Sequence, residues 1–322
     1  MKTKVKKIIG IDVSKLTLDV YDGKKYYRFS NNYEGFKQLL KETKGHYVME
    51  ATGSYHVQLA SYLFKKDKKV SVVNPLSVKR FSQMKFIRAK TDKQDASTIF
   101  DYAQINELKQ WTAPKDYIVK IKQIFTSTAL MLKHRTAFKN QLEAFTKMKV
   151  IEQEVILTIQ QQLITLNTSI NTLEKKAEKL VEDNAEILYK KLKTIPSIGS
   201  KTAIMLIAIS NGFNDFSSSK QLASYVGICP RVYRSGTSVN GKGKICKMGM
   251  SQMRSTLFMC SLTAIRYNTD CKQMFERLTA NGKAKKVALV AVMNKLIRQA
   301  YAIGTKLEDY NETKINLEII LN

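Results

Sequence analysis

Ile8-Ile9-Gly10-Ile11-Asp12 and His46-Tyr47-Val48-Met49-Glu50 are short apolar runs, each closed by an acid. Runs of this length, rich in β-branched and aromatic residues, read as buried strands. An ionised carboxylate at the end of such a strand is rarely left without a partner, because burying its charge is costly. Adjacent strands of this kind bring Asp12 and Glu50 to one edge of a sheet. Outward from them, Thr17 to Tyr21 alternates, Asp22-Gly23 supplies a turn, and Tyr26, Tyr27 and Phe29 continue as a third strand. Tyr33 to Glu42 and Tyr55 to Lys66 have helical spacing, and Val70 to Val73 reads as a further strand. Hairpin-linked strands followed by alternating helices and strands predict a mixed α/β domain over residues 1–113.

Beyond Pro114 the pattern changes to long helix, with neither proline nor glycine before Pro196. Ile156, Ile159, Leu163, Leu166, Ile170, Leu173, Ala177 and Leu180 recur at alternating spacings of three and four, which keeps one apolar seam facing a partner helix. Residues 114–193 are therefore read as a helical coiled-coil linker and multimerisation segment. Pairing between subunits is expected, with packing inside the chain as the alternative. Residues 194–322 form a third, mainly α-helical segment. Between Phe216 and Thr269 there is no Asp or Glu, while Arg231, Arg234, Lys242, Lys244 and Lys247 all fall there. Ser235 to Lys244 has the glycine and small polar residues of a phosphate-hugging loop.

Charge says what the partner is. The chain has 322 residues, 54 Lys plus Arg against 27 Asp plus Glu, and a net charge of +27. With 44% apolar residues and four prolines it is a folded protein and not a basic low-complexity tail. A surplus this large calls for a polyanion, and nucleic acid leads because phosphate contacts release condensed counterions. A membrane is the competing polyanion, but no run of about eighteen apolar residues occurs, and Asp12 interrupts any signal-peptide reading of the basic N-terminus. A cytoplasmic, nucleoid-associated protein is expected. The four cysteines have no Cys-x-x-Cys spacing and the three histidines lie far upstream of them, so a zinc site is not expected. Catalysis would fall to carboxylates, metal or hydroxyls.

Asp92 and Asp95 in Lys90-Thr91-Asp92-Lys93-Gln94-Asp95-Ala96 open an apolar helical pattern, three apart and on one side. Alone they read as helix capping. Together with Asp12 and Glu50 they make an all-oxygen set that repels itself unless a hard divalent cation, Mg²⁺ or Mn²⁺, sits among them. In a strongly basic protein the natural use of that set is metal-assisted phosphoryl transfer. Lys79, Arg80, Lys85, Arg88 and Lys90 lead into Asp92 and are candidates to hold a nucleic-acid backbone beside it.

Ile-Gly-Ile-Asp-Val-Ser-Lys, Glu50-Ala51-Thr52-Gly53-Ser54-Tyr55, Val73-Asn74-Pro75 and the Lys90–Ala96 block resemble the motifs of the DEDD insertion-sequence transposases, in order. Ile195-Pro196-Ser197-Ile198-Gly199 and Gly227-Ile228-Cys229-Pro230-Arg231 with Ser235-Gly236-Thr237-Ser238 resemble that family's second half. The resemblance implies an RNase H-like (RuvC-like) N-terminal domain, a metal site at Asp12, Glu50, Asp92 and Asp95, and a serine nucleophile at Ser235 in a C-terminal transposase domain. It also implies donor and target DNA as substrates, guidance by a non-coding bridge RNA, and dimers that pair into a tetramer at synapsis. Ser238 is the rival nucleophile on the same stretch, and Arg231 and Arg234 are placed to hold the phosphate under attack. Two other readings stay open: a junction-resolving endonuclease with water as nucleophile, and a binding protein without chemistry. The four acids oppose the last, since a phosphate binder gains nothing from clustered negative charge.

Overall fold

The structure, a computed structural model, describes residues 7–87, 91–231, 234–235, 239–240 and 244–311. The chain divides into two compact units, Met1–Ala113 and Pro114–Asn322.

The first unit is built on β1 (Ile8–Val13), β2 (Thr17–Tyr21), β3 (Tyr26–Ser30), α1 (Tyr33–Glu42), β4 (His46–Glu50), α2 (Tyr55–Lys65), β5 (Val70–Val73), α3 (Pro75–Met84) and α4 (Asp92–Ile105). Its sheet has the order β3-β2-β1-β4-β5. β1, β2 and β3 are antiparallel neighbours, whereas β4 and β5 run parallel to β1. Alternation along the strands separates two cores. Ile9, Ile11, Leu18 and Met49 pack with Leu39 of α1 and Leu63 of α2 on one face. Ile8, Val48 and Val73 pack with Val78 of α3 and Ile99 of α4 on the other. α3 was not legible as an element in the sequence; Asn74 caps it by accepting from the Leu76 amide, and Pro75 occupies its first turn.

The second unit begins with a hairpin of α5 (Asp116–Phe145) and α6 (Gln153–Lys193), followed by α7 (Ser200–Ser210) and α8 (Ser219–Val226). After a ribbon of short strands come α9 (Ser251–Tyr267), α10 (Thr269–Ala280) and α11 (Lys285–Lys306). The heptad seam of α6 packs against α5 within the chain: Ile156, Ile159, Ile170 and Ala177 are buried there, while Val155, Leu157 and Ile164 stay exposed. Arg135 of α5 donates to the Asn167 side chain of α6 at 3.1 Å. The root of the hairpin shares a core with the helices that follow, Ile121, Val181 and Leu192 joining Leu206, Leu257 and Leu296. α6 is interrupted at Ala185, whose φ of −152° is not helical. Beside the break, Asn184 donates its side-chain amide to the Leu180 carbonyl at 2.9 Å. That bond competes with the helix ladder, so the kink needs neither proline nor glycine.

Of the stretch expected as a loop, Ser235, Val239, Asn240 and Lys244 are in short strands, and 236–238 and 241–243 lie outside the described residues. β6 (Pro230–Arg231) pairs antiparallel with β9 (Lys244–Ile245), and β7 (Arg234–Ser235) with β8 (Val239–Asn240). The two pairs nest, so backbone groups on both sides of the glycine-rich centre satisfy one another. Among the described residues no helix is long and apolar enough to cross a membrane.

Candidate functional site

Gly10 decides how α4 meets the sheet. A Cβ at this position would lie 2.5 Å from the Ala96 carbonyl oxygen and 2.7 Å from the Phe100 amide nitrogen, both backbone atoms of α4. The missing side chain lets the helix rest directly on β1, two residues from Asp12 and on the same face. Thr91 caps the helix by accepting from the Gln94 amide at 3.2 Å, so capping falls to the threonine and not to the two aspartates in the first turn. Phe100 packs edge-on against Tyr21, and Lys93 lies over the Tyr26 ring, 4.3 Å from its centroid. These contacts fix the N-terminus of α4 above β1, β2 and β3.

Glu50 reaches the same edge from the parallel neighbour, one step beyond the pair Ile11–Met49. Burial comes first, and the charges of Asp95, Asp92, Glu50 and Asp19 follow, in pushing the Asp12 carboxyl from 3.8 up to about 6. Asp12 thus sits in a negative field set by acids from β2, β4 and α4. Among the described residues no three acid, His or Cys side chains are drawn together as a ready ligand set. The acids share a field, not a preformed cage. The donor chemistry fits a hard divalent ion: all oxygen, and held at a raised proton affinity that a cation would relieve.

Sequence reasoning missed two members of this group. Asp19 stands opposite Asp12 in the β1–β2 register, and Arg28 stands opposite Asp19 in the β2–β3 register. The Arg28 guanidinium bridges Asp19 at 2.8 Å and Asp92 at 3.2 Å. Arg28 is 61% exposed and Asp19 only 10%, so the arginine reaches in from solvent as a stand-in cation on one of the predicted ligands. The signal lay in the alternation Thr17-Leu18-Asp19-Val20-Tyr21, which puts Asp19 on the face opposite Leu18 and Val20. An exposed pair of this kind is weak and screened by salt. Arg28→Gln is therefore expected to tighten Mn²⁺ binding about two- to threefold in a calorimetric titration; unchanged or weaker binding would show that the arginine does not compete for Asp92.

Of the basic residues leading into this site, Lys79 and Arg80 are exposed on α3. Lys85 is already engaged, ion-paired to Asp101 of α4 at 2.8 Å and lying over the Phe81 ring. Arg88 and Lys90 lie outside the described residues.

In the second unit Ser235 closes β7, with Val239 as its cross-strand partner. The side chains of Arg234 and Ser235, and the whole of Ser238 and Lys242, lie outside the described residues. Arg231, Lys244 and Lys247 are exposed along the outer part of the same ribbon. The four cysteines are free, Cys260 and Cys271 buried and Cys229 and Cys246 half-buried.

Residues 9–148 match a family model described as a transposase of the DEDD type, and residues 189–276 match the model for the transposase IS116/IS110/IS902 family. The chain is 32% identical to the pilin gene-inverting protein of Moraxella lacunata over 92% of its own length and 95% of that protein's. The pilin gene-inverting protein of Moraxella bovis is 33% identical over the same shares, 92% and 95%. The transposase for insertion sequence element IS1111A of Coxiella burnetii is 24% identical over 49% of this chain and 43% of that one.

Proposed function

Because the chain belongs to the IS110 family of transposases, and so is a DNA-recombining enzyme, we propose that it cuts and rejoins DNA with Ser235 as nucleophile and with metal held by a carboxylate set. The observation that carries the metal site is geometric: Asp12 is in register with Asp19 of β2 and one step beyond the Ile11–Met49 pair that leads to Glu50, and burial first, then Asp95, Asp92, Glu50 and Asp19, raise its proton affinity. The strand order and directions of the first unit support reading residues 1–113 as an RNase H-like (RuvC-like) catalytic domain. Residues 114–193 are then the multimerisation hairpin and 194–322 the domain that carries the serine.

Asp12, Glu50, Asp92 and Asp95 would hold Mg²⁺ or Mn²⁺. When bound, such an ion neutralises charge on the phosphate and orients the oxygens on either side of phosphorus. Arg231 and Arg234 bind the non-bridging oxygens of the phosphodiester. The Ser235 oxygen attacks phosphorus; the new O–P bond forms as one P–O bond of the DNA breaks, and the proton of the serine hydroxyl ends on the departing sugar oxygen. In the second step a DNA hydroxyl attacks the phosphoserine, the O–P bond to the protein breaks, and Ser235 regains its proton. Two transesterifications conserve the bond energy, so no high-energy cofactor is needed.

Four DNA ends call for several protomers, and the exposed Val155, Leu157 and Ile164 on the outer hairpin are apolar surface suited to pairing copies into a dimer and then a synaptic tetramer. Target choice is delegated to a bridge RNA, in keeping with a surplus of charge large enough for RNA and DNA together. The site of action is the nucleoid in the cytoplasm.

The decisive experiment traps protein on a DNA substrate and maps the linkage. The wild type is expected to form a phosphoserine adduct at Ser235, Ser235→Ala none, and Ser238→Ala an undiminished amount. Clean cutting without an adduct, unchanged in Ser235→Ala, would leave the water-dependent endonuclease as the correct reading.

A further inference from the structure

The second unit holds a groove of about 1020 Å³ between the outer part of the ribbon and helices α10 and α11. Its walls are of two kinds. Ile228, Ile245, Met274, Val287 and Val290 make an apolar floor. Lys244, Lys247, Arg277, Lys286 and Arg298 stand around it. The one acid among the lining residues, Asp270, is 4% exposed and answered from within: Lys295 lies 3.5 Å away, Gln299 donates to it at 3.2 Å and the Tyr310 hydroxyl at 3.3 Å. It does not oppose an anionic ligand.

From this pairing of surfaces we infer that the groove binds a single-stranded segment of nucleic acid, phosphates to the cationic rim and base faces to the apolar floor. A small apolar ligand has no use for five cations, and free phosphate has none for the floor. A duplex meets the rim alone, because its bases are stacked out of reach. A single strand offers both surfaces at once. The planar guanidiniums of Arg277 and Arg298 add faces on which a base can stack. Among the described residues no aromatic side chain lines the groove, so its recognition is dominated by phosphate and tolerant of sequence. The inference rests on the transposase reading only for the nature of the polyanion, with Lys244 and Lys247 common to both, and it is independent of the serine and metal chemistry.

The test uses the full chain with fluorescent single-stranded DNA and RNA oligonucleotides of equal length, and a duplex for comparison. Arg277→Ala combined with Arg298→Ala is expected to weaken single-strand binding at least tenfold and to lower the slope of log affinity against log salt by roughly one per cation removed. Val287→Glu, on the exposed first turn of α11, should weaken it at least fivefold while duplex binding changes less than twofold. Lys286→Ala is a milder variant, with a loss of about threefold. The oligonucleotide whose affinity these variants lower more names the source, RNA as guide or DNA as substrate. Unchanged single-strand affinity in variants that keep the wild-type melting temperature overturns the proposal. Equal losses on the duplex overturn the single-strand assignment, and loss of self-association with probe binding intact shows a protein interface instead. Ser235→Ala separates the two readings: it should lose the covalent adduct and keep the oligonucleotide affinity, so either can fail alone.

Discussion

Replacing Gly10 with alanine should force α4 off the sheet and remove activity with it. The added methyl group would meet the Ala96 carbonyl, the Phe100 amide and the Phe100 Cβ at 2.5, 2.7 and 2.8 Å. The first two are backbone atoms of a helix, and no side-chain rotation clears them. Overpacking of this sort costs about 3 kcal/mol when the backbone must move. The functional loss should be larger than the stability loss, because the same displacement carries Asp92 and Asp95 away from Asp12. Thermal denaturation and a strand-cleavage assay on Gly10→Ala would show both. Gly199→Ala is the control: its Cβ would meet nothing within 4 Å, so only a loss of up to about 1 kcal/mol from alanine at the N-cap of α7 is expected. A Gly10→Ala protein with wild-type melting and cleavage would mean that α4 is not seated on β1 as described.

The second large effect is a gain and a loss in one substitution. Asp12→Asn should abolish cleavage and, in metal-free buffer at pH 8, stabilise the fold. The Asp12 carboxyl is pushed from 3.8 up to about 6, first by burial and then by Asp95, Asp92, Glu50 and Asp19. A carboxyl whose folded value lies above its unfolded one favours folding while protonated. That contribution is fully present below about pH 4 and is lost as pH rises through about 6. Asparagine removes the penalty of the ionised form, on the order of 2 kcal/mol at pH 8 and nothing at pH 3. Melting curves at the two pH values read this directly. Mn²⁺ should raise the melting temperature of the wild type and leave Asp12→Asn nearly unmoved. If asparagine lowers stability at pH 8, the acids around Asp12 do not impose the field described.

Most of the first unit was legible because its strands are short apolar runs with clear punctuation. Thr17–Tyr21, His46–Glu50 and Val70–Val73 have the bounds that alternation and the Asp-Gly turn suggest, and Tyr33–Glu42 follows helical spacing. The approach of Asp12 to Glu50 followed from two neighbouring strands, β4 ending in its acid and β1 carrying its acid one residue before its end. Arg28 and Asp19 were hidden, since their place depends on cross-strand register, which local composition does not report. Glycine and serine content made the stretch after Arg231 read as loop, whereas its described segments pair across the chain, Arg231 with Lys244 and Ser235 with Val239. The groove escaped for a similar reason: its lining runs from Ile228 to Arg298, residues far apart in sequence that only the tertiary fold brings to one groove.

The break at Ala185 gives α6 the mechanics of a lever. At 1.5 Å per residue, the arm from Ala185 out to Gln153 is about 48 Å long, and a turn of about 10° at the break carries its far end roughly 8 Å. Side chains beside the fulcrum, such as Asn184 and Leu188, therefore set the reach of the hairpin tip without touching it. Substitutions there would register as altered spacing between whatever the tip holds and whatever the root holds, an effect that a map of direct contacts would not contain.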